Sequence, residues 1–140
     1  NLPDGIYDFS SSDPMDRYVK SVALLANCVI VHSLFRKAAL DDCDWREVIS
    51  CDHVLISHLL WKGKLAYITD GPRYYRRYFQ TRNDTSAERI TGQKDAVLPR
   101  EDFYQYYEDD IAALGKKAIK PNELKKIQSH IKEILQKRFG

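Results

Sequence analysis

Residues 48–79, V-I-S-C-D-H-V-L-I-S-H-L-L-W-K-G-K-L-A-Y-I-T-D-G-P-R-Y-Y-R-R-Y-F, set how the rest of the chain is read. Val54, Leu55 and Leu59, with the flanking Ile56, Leu60 and Trp61, recur at the i, i+3, i+4 spacing of a helix with a wide apolar face. Ser50 and Asp52 both suit its N-cap, because their oxygens can accept amides that a first turn leaves unpaired. Gly63 suits the residue just past the helix, where a positive φ is easiest for glycine. Residues 64–68 then alternate in the manner of a strand, and Asp70-Gly71-Pro72 turns the chain. A second strand follows, carrying Arg76 and Arg77. The unit predicts an α/β piece, helix-rich with a small sheet.

Working upstream, Asp13-Pro14 opens a helix with a capping carboxylate and a proline at the first helical position. This helix runs from Met15 to about Ala26, with Tyr18, Val22, Leu25 and Ala26 on one face. The β-branched run Val29-Ile30-Val31, within residues 27–32, suits a buried strand. Ser33 then caps a short helix through Leu40. Downstream, residues 80–94 are too polar to pack and read as a loop. Two helices close the chain. Residues 101–114 align Phe103, Tyr106, Tyr107, Ile111 and Leu114, and Gly115 stops them. Residues 122–139 align Leu124, Ile127, Ile131, Ile134, Leu135 and Phe139. Lysines crowd this tail, with only Glu123 and Glu133 against them. They form either the wet face of an amphipathic helix or a patch for a membrane surface or polyanion.

The 140 residues suffice for one domain with a real core. A hydrophobic fraction of 44%, a charged fraction of 30% and a net charge of +2 are ordinary for a soluble protein and select no partner. No apolar run is long enough to span a bilayer, and no secretory signal is visible. Cys28, Cys43 and Cys51 are odd in number and lack C-x-x-C spacing, which argues against a disulfide framework or zinc knuckle. Reduced thiols then suit a cytoplasmic protein, or one at the cytosolic face of a membrane. The first residue is Asn1 rather than methionine, which implies a processed or excised piece.

Several constellations could carry chemistry. Amide donors and partial positive charge gather at a helix start and favour an anion there, so Asp52 is a candidate base; equally, it is a simple cap. Arg76 and Arg77 bring guanidinium forks suited to phosphate. As strand neighbours they point to opposite faces, so at most one serves a given pocket. Tyr74, Tyr75, Tyr78 and Phe79 interleave with them, which also fits stacking on single-stranded nucleic acid or a plain cationic edge strand. His53 and His58, five apart, cannot act as an H-x-x-x-H pair. Cys51 and His53 lie on different sides of a helix. Asp42-Cys43-Asp44 is formally a metal-binding D-x-D, a match that acidic loops produce by chance.

The order of these pieces resembles the C-terminal, acceptor-side half of a family 2 glycosyltransferase, a family of the glycosyltransferase A fold. The matching residues are Arg17-Tyr18, Asn27-Cys28, Leu34 to Leu40 (L-F-R-K-A-A-L), Cys51 to Ile56 (C-D-H-V-L-I), Trp61-Lys62-Gly63-Lys64 and Tyr75-Arg76-Arg77. Lys37 stands where the family has a second arginine, and Tyr78-Phe79 offers no histidine after the arginine pair. The resemblance covers residues 13–82. It implies an acceptor-side region over residues 1–82. Residues 83–140 have no counterpart in the family and read, from their own pattern, as a loop or linker over 83–99 and a C-terminal helical extension over 100–140.

The resemblance further implies inverting transfer of a sugar from a nucleotide-sugar donor to a hydroxyl acceptor. Asp52 would deprotonate the acceptor, while Arg76 or Arg77, with Tyr75, would meet the diphosphate. The nucleotide-binding half, with its D-x-D and its Mg or Mn ion, lies upstream of the pattern. This chain alone is therefore expected to hold no cofactor and to be inactive. It is also expected to self-associate through an apolar face left open. Two rival readings stand beside it. One is a non-catalytic interaction module whose basic C-terminal helix and Tyr/Arg strand bind an anionic partner, a membrane surface or nucleic acid. The other is a nucleic-acid-binding domain using Arg73, Tyr74, Tyr75, Arg76, Arg77 and Tyr78; of the partners, nucleic acid is the less expected.

Overall fold

In the computed structural model of the chain, residues 8–25, 28–66, 88, 91–94, 99–116 and 118–140 are described. The main helices are α1 (Pro14–Leu24), α2 (Cys51–Lys62), α3 (Arg100–Gly115) and α4 (Pro121–Phe139), with short 3-10 turns at Val29–His32 and Lys37–Ala39. The expected helix start is present: Asp13 Oδ1 accepts the Met15 amide at 2.9 Å, with Pro14 in the first turn of α1. At the end of α3, a Cβ on Gly115 would come within 2.7 Å of Ile119 Cδ1, so the bend into α4 is packed closely over that glycine.

α2 packs on both α1 and α3, while α4 lies against α3 and α1. Tyr18 and Val22 of α1, Val54 of α2, Phe103, Tyr106, Tyr107 and Ile111 of α3, and Ile131 and Leu135 of α4 form one buried cluster. Residues 100–140 thus share a core with α1 and α2. Burying each such aliphatic side chain contributes about 1.5–3 kcal/mol. A smaller cluster joins Phe9, Leu25, Ile56 and Leu60, flanked by Ile30, Val31 and Leu65. As a central helix, α2 is buried around most of its circumference, Ser57 and His58 included.

The α/β reading is overturned: no strand occurs among the described residues, and the packing is helix on helix. The Val29-Ile30-Val31 run forms a 3-10 turn instead of a strand. β-Branched residues fit strands by packing on a pleated neighbour, and no neighbouring strand exists here among the described residues. Residues 64–66 adopt no regular structure, and the remainder of the two expected strands lies outside the described residues. The helix expected from Ser33 to Leu40 shrinks to Lys37–Ala39. Its Leu34 is fully exposed, so this short segment has no continuous buried face to offset helix nucleation. Gly63 is extended at φ −158° and ψ 171°, not left-handed.

Two arginines close helix ends. Arg17, 5% exposed, donates to Leu60 O at 2.6 Å and Trp61 O at 2.9 Å, and also to Ser11 O at 2.6 Å. Arg138 donates to the Val22 and Leu25 carbonyls at the end of α1. Each guanidinium satisfies carbonyls that a helix terminus leaves without intrahelical partners. No helix among the described residues is long and apolar enough to cross a membrane. Cys28, Cys43 and Cys51 are free thiols.

Candidate functional site

Two groups of titratable side chains flank α2, one at its first turn and one in its second half. At the first turn, Ser50 stands before the helix at φ 58°, and its hydroxyl makes no capping bond. Asp52 occupies the first turn, partly buried, with Oδ1 accepting the His53 amide at 3.1 Å. Of the two expected caps, neither closes the helix in the usual way. Cys28 Sγ, an Asp52 oxygen and a His53 nitrogen lie within 4.8 Å of one another. Burial and the adjacent Asp52 carboxylate push the Cys28 thiol far up, which leaves it protonated and weakly nucleophilic. Burial, helped by the Arg138 charge, lowers His53 against the opposing pull of Asp52. The His53 ring meets Phe103 and Phe139 edge-on, with centroids 6.3 and 5.8 Å away.

The second group is deeper. His58 Nδ1 lies 2.6 Å from Asp110 Oδ1, and Tyr18 donates its hydroxyl to Asp110 Oδ2 at 2.9 Å. Burial, then the Asp110 charge, raises the Tyr18 phenol well above its usual range, so it stays a donor. The other imidazole nitrogen, Nε2, is buried with no hydrogen-bond partner among the described residues. It faces Asp42 Oδ1 at 3.5 Å, and Cys43 Sγ completes a triple within 4.8 Å. Lys62 Nζ pairs with the same Asp42 oxygen and donates to Ala39 O at 3.1 Å. A separate hydroxyl seam runs beside it: Tyr107 and Ser21 meet Ser57 Oγ at 3.2 and 2.7 Å. Ser57 Oγ in turn donates to His53 O at 3.0 Å.

Of the residues singled out by sequence, Asp52 lies in the first turn of α2 as expected. Arg76, Arg77 and Tyr75 lie outside the described residues. Among the described residues, the guanidinium whose field reaches the Asp52 group is that of Arg138. Asp42-Cys43-Asp44 does not act as a unit. Asp44 pairs with Arg46 at 2.6 Å, which also reaches Asp109 at 2.7 Å, while Asp42 turns toward His58. A groove of about 800 Å³, lined by Ile30, Leu34, Phe35, Ala39, Leu60 and Leu65 among others, does not include Asp52.

Sequence spacing missed His58 and Asp110, which are brought together by packing of α2 on α3. A signal existed. Asp110 falls three and four residues after Tyr107 and Tyr106 on the apolar face of α3, and His58 falls three and four after Leu55 and Val54. A polar residue in the buried phase of a helix needs a partner on the facing helix. Comparisons with protein families, curated proteins and solved structures return no match.

Proposed function

We propose that this chain is the acceptor-side portion of an inverting glycosyltransferase, with Asp52 as the base that activates a hydroxyl acceptor. The observation that carries the reading is the Asp52 carboxylate in the first turn of α2, partly buried beside Cys28 and His53. Its Oδ1 meets the His53 amide, which limits its rotation. An acceptor hydroxyl gives its proton to the carboxylate as its oxygen attacks the anomeric carbon. The bond from that carbon to the diphosphate breaks, and the leaving group takes the electron pair. Cationic side chains then stabilise the charge building on the diphosphate. Arg76 or Arg77, with Tyr75, fills that role by the sequence resemblance alone. The Mg or Mn ion such chemistry uses belongs to a donor-binding half, and no residue of this chain is assigned to it.

Asp52→Asn tests the assignment in a protein that joins this chain to a donor-binding half, with nucleoside diphosphate release as the assay. The substitution keeps shape and removes basicity, so turnover should fall by about a hundredfold or more. The unfolding midpoint should stay within experimental error. A variant that turns over near the parent rate would remove Asp52 as base. Absence of diphosphate release from every nucleotide sugar offered would remove the transferase reading itself.

A further inference from the structure

A buried imidazole normally satisfies both ring nitrogens, because a buried polar atom without a partner costs about 1–3 kcal/mol. His58 satisfies one. Asp110, held by Tyr18, bonds Nδ1 and so fixes the ring's orientation, leaving Nε2 as the nitrogen open to a proton or a metal ion. Nε2 is buried, with no hydrogen-bond partner among the described residues, on a side chain only 6% exposed. A carboxylate oxygen of Asp42 lies 3.5 Å from it, with a cysteine sulfur close to both groups. An imidazole nitrogen and a carboxylate oxygen this close are stabilised by a shared cation, either a proton on Nε2 or a metal ion, and Lys62 already brings one charge to the oxygen.

We propose that Asp42, Cys43 and His58 form a binding site for a zinc-class divalent cation, with Asp110 as the positioning residue behind the histidine. In tetrahedral coordination a zinc ion about 2.0–2.1 Å from nitrogen and oxygen holds those two atoms roughly 3.3 Å apart. Nε2 and Asp42 Oδ1 already stand 3.5 Å apart. The sulfur, within 4.8 Å of the others, closes the set with a small movement of the chain that carries it. That segment follows the Lys37–Ala39 turn, and its Asp42 is exposed. A carboxylate, a thiolate and an imidazole whose far nitrogen is bonded to a carboxylate match the borderline character of zinc, not the all-oxygen shells of Mg or Ca.

Three protein ligands leave a fourth position for water or a ligand, as in sites that do chemistry. Ala39 and Lys62, which touch Cys43 and Asp42, also line the 800 Å³ groove, so the cluster borders an open space. Lys62 is the competitor. Its ammonium sits on the Asp42 oxygen that the metal would take, and must swing to Ala39 O alone when metal binds.

The test is calorimetric titration of the full 140-residue chain with Zn²⁺, and absorption spectra with Co²⁺ in its place. Saturable equimolar binding and a thiolate-to-cobalt charge-transfer band are expected. Cys43→Ser should abolish the band. Asp110→Asn should weaken binding about tenfold or more while leaving the band in place at saturation, as loss of a carboxylate behind a ligating histidine does. Lys62→Gln, which alters no ligand, should tighten binding several-fold; a purely structural cluster would show no such gain. The proposal falls if Zn²⁺ does not saturate a site on the folded chain. It also falls if the band survives Cys43→Ser but vanishes in Cys28→Ser, which would move the ion to the Asp52 group. None of these readouts depends on glycosyl transfer, so this inference and the transferase reading fail separately.

Discussion

The two ends of α2 differ in how their polar groups are met. At the C-terminal end, a buried guanidinium takes up the Leu60 and Trp61 carbonyls, and the Gly63 amide returns to Leu59 O at 3.0 Å. At the N-terminal end, Ser50 sits in a left-handed conformation without a side-chain cap, and Asp52 and His53 stand among partly buried groups. One end is closed by hydrogen bonds from a distant helix. At the other, the Asp52 carboxylate is met by the His53 amide of its own helix and by the Cys28 thiol, which is where a carboxylate can still act on something that arrives. Stability and availability are thus divided along twelve residues of one helix.

Breaking the closed end should have the largest effect. Arg17→Met preserves the length of the stem but strands the carbonyls of Leu60, Trp61 and Ser11. Loss of charge-assisted bonds from a buried site should cost about 3–4 kcal/mol, read as a lower midpoint in urea unfolding. Arg17→Lys should recover less than half of that, because an ammonium cannot reproduce the fork that spans separate carbonyls. If Arg17→Met unfolds at the parent midpoint, the closed end does not stabilise the fold, and the contrast between the ends disappears.

The open end should respond to pH instead. His53 is lowered by burial first and by Arg138, while Asp52 pulls the other way. A histidine whose folded value lies below its unfolded value leaves stability untouched above about 6.5 and erodes it as pH falls below that. The melting temperature should therefore decline from pH 7 toward pH 5. His53→Phe, which keeps the edge-on contacts with Phe103 and Phe139, should flatten the slope. Asp109, lowered chiefly by its bond from Arg46, and Asp8, lowered by Ser10, act only in more acidic solution and leave this window clear. An unchanged slope in His53→Phe would place the pH sensitivity elsewhere.

The contrast also explains what could be read from the sequence. α1, α3 and α4 were legible from an apolar stripe and α2 from its wide apolar face, and Asp13-Pro14 marks an entry; Gly115, expected as a stop, is the last helical residue of α3. Local chemistry was enough. The run at residues 29–31 misled because a strand is defined by its neighbour, which local composition does not report. Arg17 and Arg138 look like ordinary surface cations, yet they cap helices 43 and 116 residues away in the chain. His58 and Asp110 are 52 apart, so no motif spacing can join them. Of the candidate site, Asp52 alone was visible, because its role depends on position within its own helix. Arg76, Arg77 and Tyr75 lie outside the described residues and leave that part of the reading where the sequence put it.

The smallest expected effect has the opposite sign and sharpens the comparison most directly. Ser50 is the only non-glycine residue with positive φ among the described residues, at 58°. For an L-residue that conformation costs about 1–2 kcal/mol, which glycine does not incur. Serine at a helix start usually offsets such a cost with a side-chain bond, but Ser50 makes none, so Ser50→Gly forfeits no cap. Its carbonyl continues to accept the His53 amide, a backbone bond the substitution leaves alone. Against the relief stands the greater freedom of glycine in the unfolded chain, worth about 0.4–1 kcal/mol. The balance is a gain of roughly 0.5 kcal/mol, visible as a rise in melting temperature. A fall of that size would mean that the serine hydroxyl stabilises the first turn after all, and the N-terminal end of α2 would then be as closed as the other.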